Sequence, residues 1–251
     1  MMSQNRNRKL EQDVILQFSN ELQRHFLYQQ QLLNSAHSSY AGSALGGQDR
    51  ELADYLLSVN ARFALIEFKA DESSIASEIS KPLRIGLCSQ LASDSAMRAR
   101  AQEMHFIAWG KLEDDGASEI DEFLKVRKIV LARYAERVCL HCNGTLKVVD
   151  SEKFITSFLK YKTKGGSGSR FKRYLEDLFA LADKGAADSF AEFQGTVYVY
   201  MPSSDSRVRK IVTIPFMGLQ HLFSLTTDTQ IEKSRKGKAK LNQDRGPTMQ
   251  R

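Results

Sequence analysis

Residues 54–69 read DYLLSVNARFALIEFK, and the parsing of this stretch decides the fold. Leu52–Val59 (LADYLLSV) and Arg62–Ala70 (RFALIEFKA) are short runs rich in apolar and aromatic residues, separated by Asn60 and Ala61. They predict a β-hairpin whose second strand lies in a sheet interior. A turn centred on Asn60-Ala61 sets Asp54 opposite Glu67. Side chains alternate across a strand, so Glu67 and Lys69 share one face and Phe68 takes the other. A carboxylate and an ammonium in an apolar strand are costly to desolvate, and opposed acids on paired strands repel. A bound divalent cation would remove that repulsion. E-x-K by itself arises by chance about once in a chain this long. Its weight here comes from context: an apolar strand around it, an acid on the preceding strand and a leading helix carrying further acids.

Outward from the hairpin, Leu10 to about Asn34 predicts one long helix, with Leu10, Val14, Phe18, Leu22, Phe26 and Leu33 at helical spacing. The small, glycine-rich SAHSSYAGSALGGQDR that follows reads as a loop. After the hairpin, Asp71–Lys81 is polar with helical spacing at Ile75 and Ile79, and Pro82 interrupts it. A helix from about Leu83 into Met97–Gln102 and a strand from Met104 to Trp109 come next. Ser118, with Asp121 three residues on, is read as the cap of a helix running to about Val138. The C-terminal half predicts helices near Glu152–Tyr161 and Arg170–Ala182 around a flexible KGGSGS loop. Strands at Thr196–Met201 and Val208–Pro215 and a short helix at Met217–Ser224 complete it. The expectation is an α/β (α+β) protein with a mixed central sheet flanked by helices. Segment 1–115 is its core, 116–225 an extension packed on that core, and 226–251 a disordered basic tail.

With Asp54, Glu67 and Lys69 in this order, the chain resembles the PD-(D/E)xK nuclease superfamily, whose members share an αβββαβ, restriction-endonuclease-like core. The acid belongs to the second core strand and the E-x-K to the third. Ala53 stands where the signature often carries proline. The resemblance covers roughly residues 10–110 and requires a first strand that the residues themselves do not announce. Ser39–Leu45 is where it would have to lie. The resemblance implies Mg²⁺-dependent (or Mn²⁺-dependent) hydrolysis of phosphodiester bonds of DNA, with RNA as the other candidate substrate. Asp54, Glu67 and the Phe68 carbonyl would supply hard oxygen ligands, and Lys69 would position water and stabilise transition-state charge. Glu21 on the leading helix is the chosen additional acid, with Glu11 behind it, and Gln90 is a weaker candidate on the helix after the motif. A homodimer or a partner protein would suit cutting of two strands. The alternative is a nuclease-like fold that has lost cleavage and serves as a nucleic-acid-binding or partner-docking module.

Composition sets outer bounds. Of 251 residues, 42% are hydrophobic and 26% charged, and only four are proline, so the chain is globular rather than linker-like. Met1–Asp13 has no apolar core of a secretory signal and no run is long enough to span a bilayer, so a cytoplasmic, membrane-free protein is expected. The net charge of +6 is concentrated: Glu232–Arg251 holds seven Lys/Arg against two acids. That tail reads either as polyanion-binding or as solubilising. Lys160, Lys162, Lys164, Arg170, Lys172 and Arg173 form a second run without an acid, expected to grip nucleic acid. Cys139 and Cys142 form a lone C-x-x-C, too little for a zinc site. With three cysteines and no signal peptide, no disulfide framework is expected and these two read as half-buried thiols. His105 on an apolar strand reads as a core or edge histidine.

Overall fold

The computed structural model describes residues 2–33, 38–44, 53–59, 61–79, 81–112, 127–139, 146–160, 164–181, 194–202 and 209–226. Ser118 and its cap, Lys162, Cys142 and the basic tail lie outside the described residues. The protein is α+β, with a mixed sheet flanked by helices. In chain order the elements are α1 (Met2–Leu33), β1 (Ser38–Ala44), β2 (Tyr55–Val59), β3 (Arg62–Lys69), α2 (Ile75–Ile79), α3 (Pro82–Ser93), α4 (Ser95–Met104) and β4 (His105–Leu112). Then follow β5 (Arg127–Arg133), α5 (Tyr134–Val138), β6 (Val149–Asp150), α6 (Ser151–Lys160), β7 (Gly166–Ser167), α7 (Gly168–Leu181), β8 (Gln194–Pro202), β9 (Arg209–Met217) and α8 (Leu219–Thr226).

The strand order is β6-β5-β4-β3-β2-β1-β8-β9, with β7 attached to β3. β3 and β4 run parallel and the other pairs antiparallel. Strands from residues 1–115 and from 116–225 therefore share one sheet. Alternation along β3 builds two cores. Ala64, Ile66 and Phe68 face α1 and α6, joined by Val14, Phe18, Leu22, Phe154 and Phe158. Phe63 and Leu65 face the other helical layer, joined by Leu87, Leu91, Met97, Phe171 and Leu178. The hairpin closes as Val59 pairs with Arg62, and Ala61 takes φ 60° in the turn. That left-handed conformation suits the twist of a two-residue connection but strains a residue bearing a Cβ.

Five sequence expectations are corrected. The stretch read as a loop contains β1, held between β2 and β8. Its small residues serve packing, because a Cβ on Gly42 would press on Tyr55 Oη and Leu22. Within the helix expected up to Val138, the described residues Arg127–Arg133 form β5 and Tyr134–Val138 are helical. Ile129 and Leu131 enter one core while Val130 and Ala132 enter the other, so this doubly buried strand shows no alternation in its sequence. The helix expected from Leu83 into Met97–Gln102 is two helices, because Asp94 is extended and its carboxylate caps α4 by accepting from the Met97 N–H at 2.8 Å. In the glycine loop, Gly165 at φ 79° leads into β7, which pairs with Arg62 and Phe63 of β3. Cys139 is not a half-buried free thiol either: it is buried and joined by a disulfide to Cys88 on α3.

Candidate functional site

The last turn of the β3 zigzag aims Glu67 and Lys69 at the α2–α3 layer. Both are almost wholly buried, at 1% and 6% exposure. Burial of charge is tolerated only with close partners, and here the partners converge. Lys69 Nζ donates to Glu67 Oε1 at 2.7 Å and to the Phe68 carbonyl at 3.0 Å. It also lies 3.2 Å from Glu78 Oε2. Glu78 comes from α2 and Arg84 from α3, and neither is exposed. Arg84 Nε donates to Glu78 Oε1 at 2.5 Å, and Lys81 Nζ lies 2.6 Å from Glu78 Oε2. Tyr134 Oη donates to Glu78 Oε1 at 3.1 Å, and the Arg84 guanidinium sits 5.3 Å from the Tyr134 ring centre. Pro82 at the start of α3 pre-sets the helix entry and brings Lys81 and Arg84 within one turn of Glu78.

Asp54 stands one residue before β2. Tyr55 pairs with Ile66, so the hairpin register carries Asp54 to Glu67. Its Oδ2 accepts the Phe68 N–H at 2.7 Å, which fixes it there. Burial raises the Asp54 carboxyl above its ordinary range. Glu67 is pushed up to about 7, first by burial and then by the Asp54 charge. Burial opposes the charge on Lys69, but Glu67, Glu78 and Asp54 outweigh it and hold the amine protonated. Burial likewise works against Glu78, yet Lys69 and Arg84 hold its carboxyl well below the usual range. Glu67 Oε2 is buried without a hydrogen-bond partner, its nearest cation being Arg84 at 3.6 Å.

On the leading helix, Glu11 lies within electrostatic reach of this cluster. Burial raises the Glu11 carboxyl, and Lys69 and Glu67 act on it. Glu21, further along the same helix, accepts from Gln17 and from Ser151 on α6. Gln90 is exposed on α3, two turns past the inward-facing Arg84. Glu78, Lys81 and Arg84 were not singled out by sequence reasoning. Their spacing of three, Glu78-x-x-Lys81-x-x-Arg84, directly after E-x-K was the available signal. Four carboxyls, Asp54, Glu67, Glu78 and Glu11, thus share the field of three cations, Lys69, Lys81 and Arg84, and burial favours the neutral form of Asp54, Glu67 and Glu11. Among the described residues, no set of three or more His, Cys, Asp or Glu side chains is disposed to hold a metal ion. Any ion here would rest on two carboxylates and a carbonyl.

The described members of the basic run differ in their surroundings. Lys160 and Lys172 are exposed. Arg170 is 2.7 Å from Glu103, and Arg173 is 3.4 Å from Asp177 on its own helix. Lys164 turns inward, 4.5 Å over the Phe154 ring. His105 is fully buried, bonded through Nδ1 to Tyr174 Oη at 2.8 Å and stacked on Tyr134. Burial holds its pKa well below the ordinary value. No described helix is long and apolar enough to cross a membrane. No protein-family model matches this chain, and no curated protein or solved structure matches it.

Proposed function

We propose that the Asp54–Glu67–Lys69 cluster is the centre of a metal-dependent nuclease that hydrolyses phosphodiester bonds of DNA. The observation that carries this reading is Glu67 Oε2: a buried carboxylate oxygen with no hydrogen bond, beside a second acid whose other oxygen is tied to the Phe68 N–H. A buried carboxylate oxygen without a hydrogen bond is costly even when the group is ion-paired, and a divalent cation is a partner that would satisfy it. Mg²⁺ keeps most of its water and takes one or two carboxylates, so Asp54, Glu67 and the Phe68 carbonyl fit it in kind and number. The element order adds support. A leading helix, three antiparallel strands β1–β3, a helical block and β4 parallel to β3 follow the succession that the PD-(D/E)xK resemblance implies.

When bound, the ion supplies a polarised phosphate oxygen and a water of lowered pKa. Asp54 and Glu67 would hold it at the end of β3. In the hydrolysis a water oxygen bonds to phosphorus as the bond to the leaving sugar oxygen breaks, and the proton given up by the water ends on that oxygen. Lys69, kept protonated by Glu67 and Glu78, offsets the negative charge that gathers on the phosphate oxygens. Glu78 and Arg84 are positioning residues that hold Lys69 and Glu67 in place. Lys81, with 43% of its side chain exposed, meets the incoming backbone.

The second reading, a non-cleaving nucleic-acid-binding or partner-docking module, is favoured by the burial of Glu67, Lys69, Glu78 and Arg84, which leaves little of the cluster in reach of solvent. Incubation of the full chain with supercoiled, linear and single-stranded DNA and with RNA, under Mg²⁺ or Mn²⁺, separates the two. Cleavage is expected to stop with EDTA and to fall at least about 100-fold in Glu67→Ala and Lys69→Ala. Equal cutting by wild type and Glu67→Ala defeats the site assignment, and binding without cutting under either metal favours the second reading.

A further inference from the structure

Where β4 begins and β5 ends, α4 and α6 flank an open cavity of about 800 Å³ that Glu67 and Lys69 do not line. Its floor is apolar and aromatic, with Phe106, Leu131 and Phe154, and Leu146 stands 44% exposed on its rim. Four cations reach it from separate segments: Arg133, Lys147, Lys153 and Lys164. The acids in the wall are already engaged. Glu136 is 2.8 Å from Arg133, and Glu103 is 2.7 Å from Arg170, which approaches it from α7. Lys153 lies 3.4 Å from Asp150. Among the described residues, no carboxylate pairs with Lys147 or Lys164.

Lys164 is half-buried, with its ammonium over the Phe154 ring, and β7 anchors the chain just beyond it. Burial, Arg133 and Lys147 together push its amine down to about 8. Crowded like charges around an amine without a counter-ion make a binding potential for an anion. A lone phosphate would leave most of this volume and all of the apolar floor unused, whereas cavities of this size and lining suit a small organic ligand.

We propose that this cavity binds a phosphorylated nucleoside, free or at a strand end, with the phosphate on Lys147 and Lys164 and the base against Phe106, Leu131 and Leu146. The site is separate from the ion cluster and stands whether or not that cluster cleaves DNA. Titration calorimetry of the full chain with AMP, ATP, adenosine, inorganic phosphate, and matched oligonucleotides with 5′-phosphate or 5′-hydroxyl ends tests it. AMP or the 5′-phosphorylated oligonucleotide is expected to bind at least about tenfold more tightly than adenosine or phosphate alone. Which of the two binds better tells the free ligand from the strand end. Lys164→Gln and Lys147→Gln are each expected to weaken binding about tenfold. Near pH 8 the wild type should also take up a proton on binding, seen as heats that depend on the buffer, and Lys164→Gln should not. Lys147 is exposed, so Lys147→Gln decides the matter if Lys164→Gln fails to fold. Phosphorylated ligands that bind no better than adenosine and phosphate would overturn the proposal, as would binding undiminished in Lys147→Gln.

Discussion

Replacing Arg84 with methionine removes one cation from the ion cluster while filling most of its volume. Arg84 is 0% exposed; its Nε is 2.5 Å from Glu78, and a second nitrogen is 3.6 Å from Glu67. Methionine leaves no large cavity, so the loss is electrostatic. Removing one partner of a buried pair costs about 3–5 kcal/mol, because the other charge stays buried. Glu78 keeps Lys69 at 3.2 Å and Lys81 at 2.6 Å, which puts the expected loss near the lower end, about 3 kcal/mol. In a chain of this size that lowers Tm by about 6–12 °C. Urea denaturation followed by the fluorescence of Trp109, the one tryptophan, measures it. Glu78 has a depressed pKa in the fold, so its contribution is present above the unfolded value of 4.5 and lost as pH falls through the folded one. The gap between wild type and Arg84→Met should therefore hold from pH 8 to pH 5 and narrow in acid, where Glu78 of the variant protonates first. Adding Glu78→Gln should restore part of the loss. A difference below about 1 kcal/mol, the range of an exposed pair, or strict additivity in the double variant would refute the reasoning.

Glu67, raised to about 7, binds its proton more tightly folded than unfolded, so its contribution is most favourable below 4.5 and erodes as pH climbs to 7. Glu67→Gln should flatten that decline, which is on the order of 3 kcal/mol. Mg²⁺ should raise the wild-type Tm more at pH 8 than at pH 5.5, and an equal rise at both would count against a carboxylate-held ion. Gly42→Ala forces a Cβ onto Tyr55, which Phe18 and Phe68 hemmed in, and should cost about 1–3 kcal/mol in urea; a neutral result would contradict the placement of β1. Ala61→Gly relieves the positive φ of the hairpin turn and should stabilise by about 0.5–1 kcal/mol, with thermal denaturation as the readout. Reduction, or Cys88→Ser, opens a cross-link spanning 51 residues and should cost about 2–4 kcal/mol; peptide mapping that finds Cys139 joined to Cys142 instead would rule out the bridge.

The hairpin and the pairing of Glu67 with Lys69 were legible because both rest on local rules: a short apolar run, a two-residue turn and strict alternation. α1, α6 and α7 were legible for the same reason, since each buries one stripe of side chains. β1 was hidden because α1 and Tyr55 demand small residues over Ser38–Ala44, the composition of a loop. β5 was hidden because it is buried on both faces. Glu78 and Arg84 carry the ion cluster with Lys69, yet their burial depends on how a five-residue helix sits against β3, and the spacing of Glu78, Lys81 and Arg84 is the one local sign of it. Lys69 and Glu67 act on the Glu11 carboxyl of the leading helix, which begins well before Leu10.

β1 lies between β2 and β8, so its outer edge is closed by a strand made long after it. A ribosome adds about 5–20 residues per second, which leaves that edge bare for on the order of ten seconds after β1 emerges. The nascent chain must cross this interval with open backbone donors and acceptors beside an aromatic core, a condition that invites pairing with neighbouring chains. The yield of native protein should therefore depend on elongation speed and on chaperone supply more than its equilibrium stability would suggest.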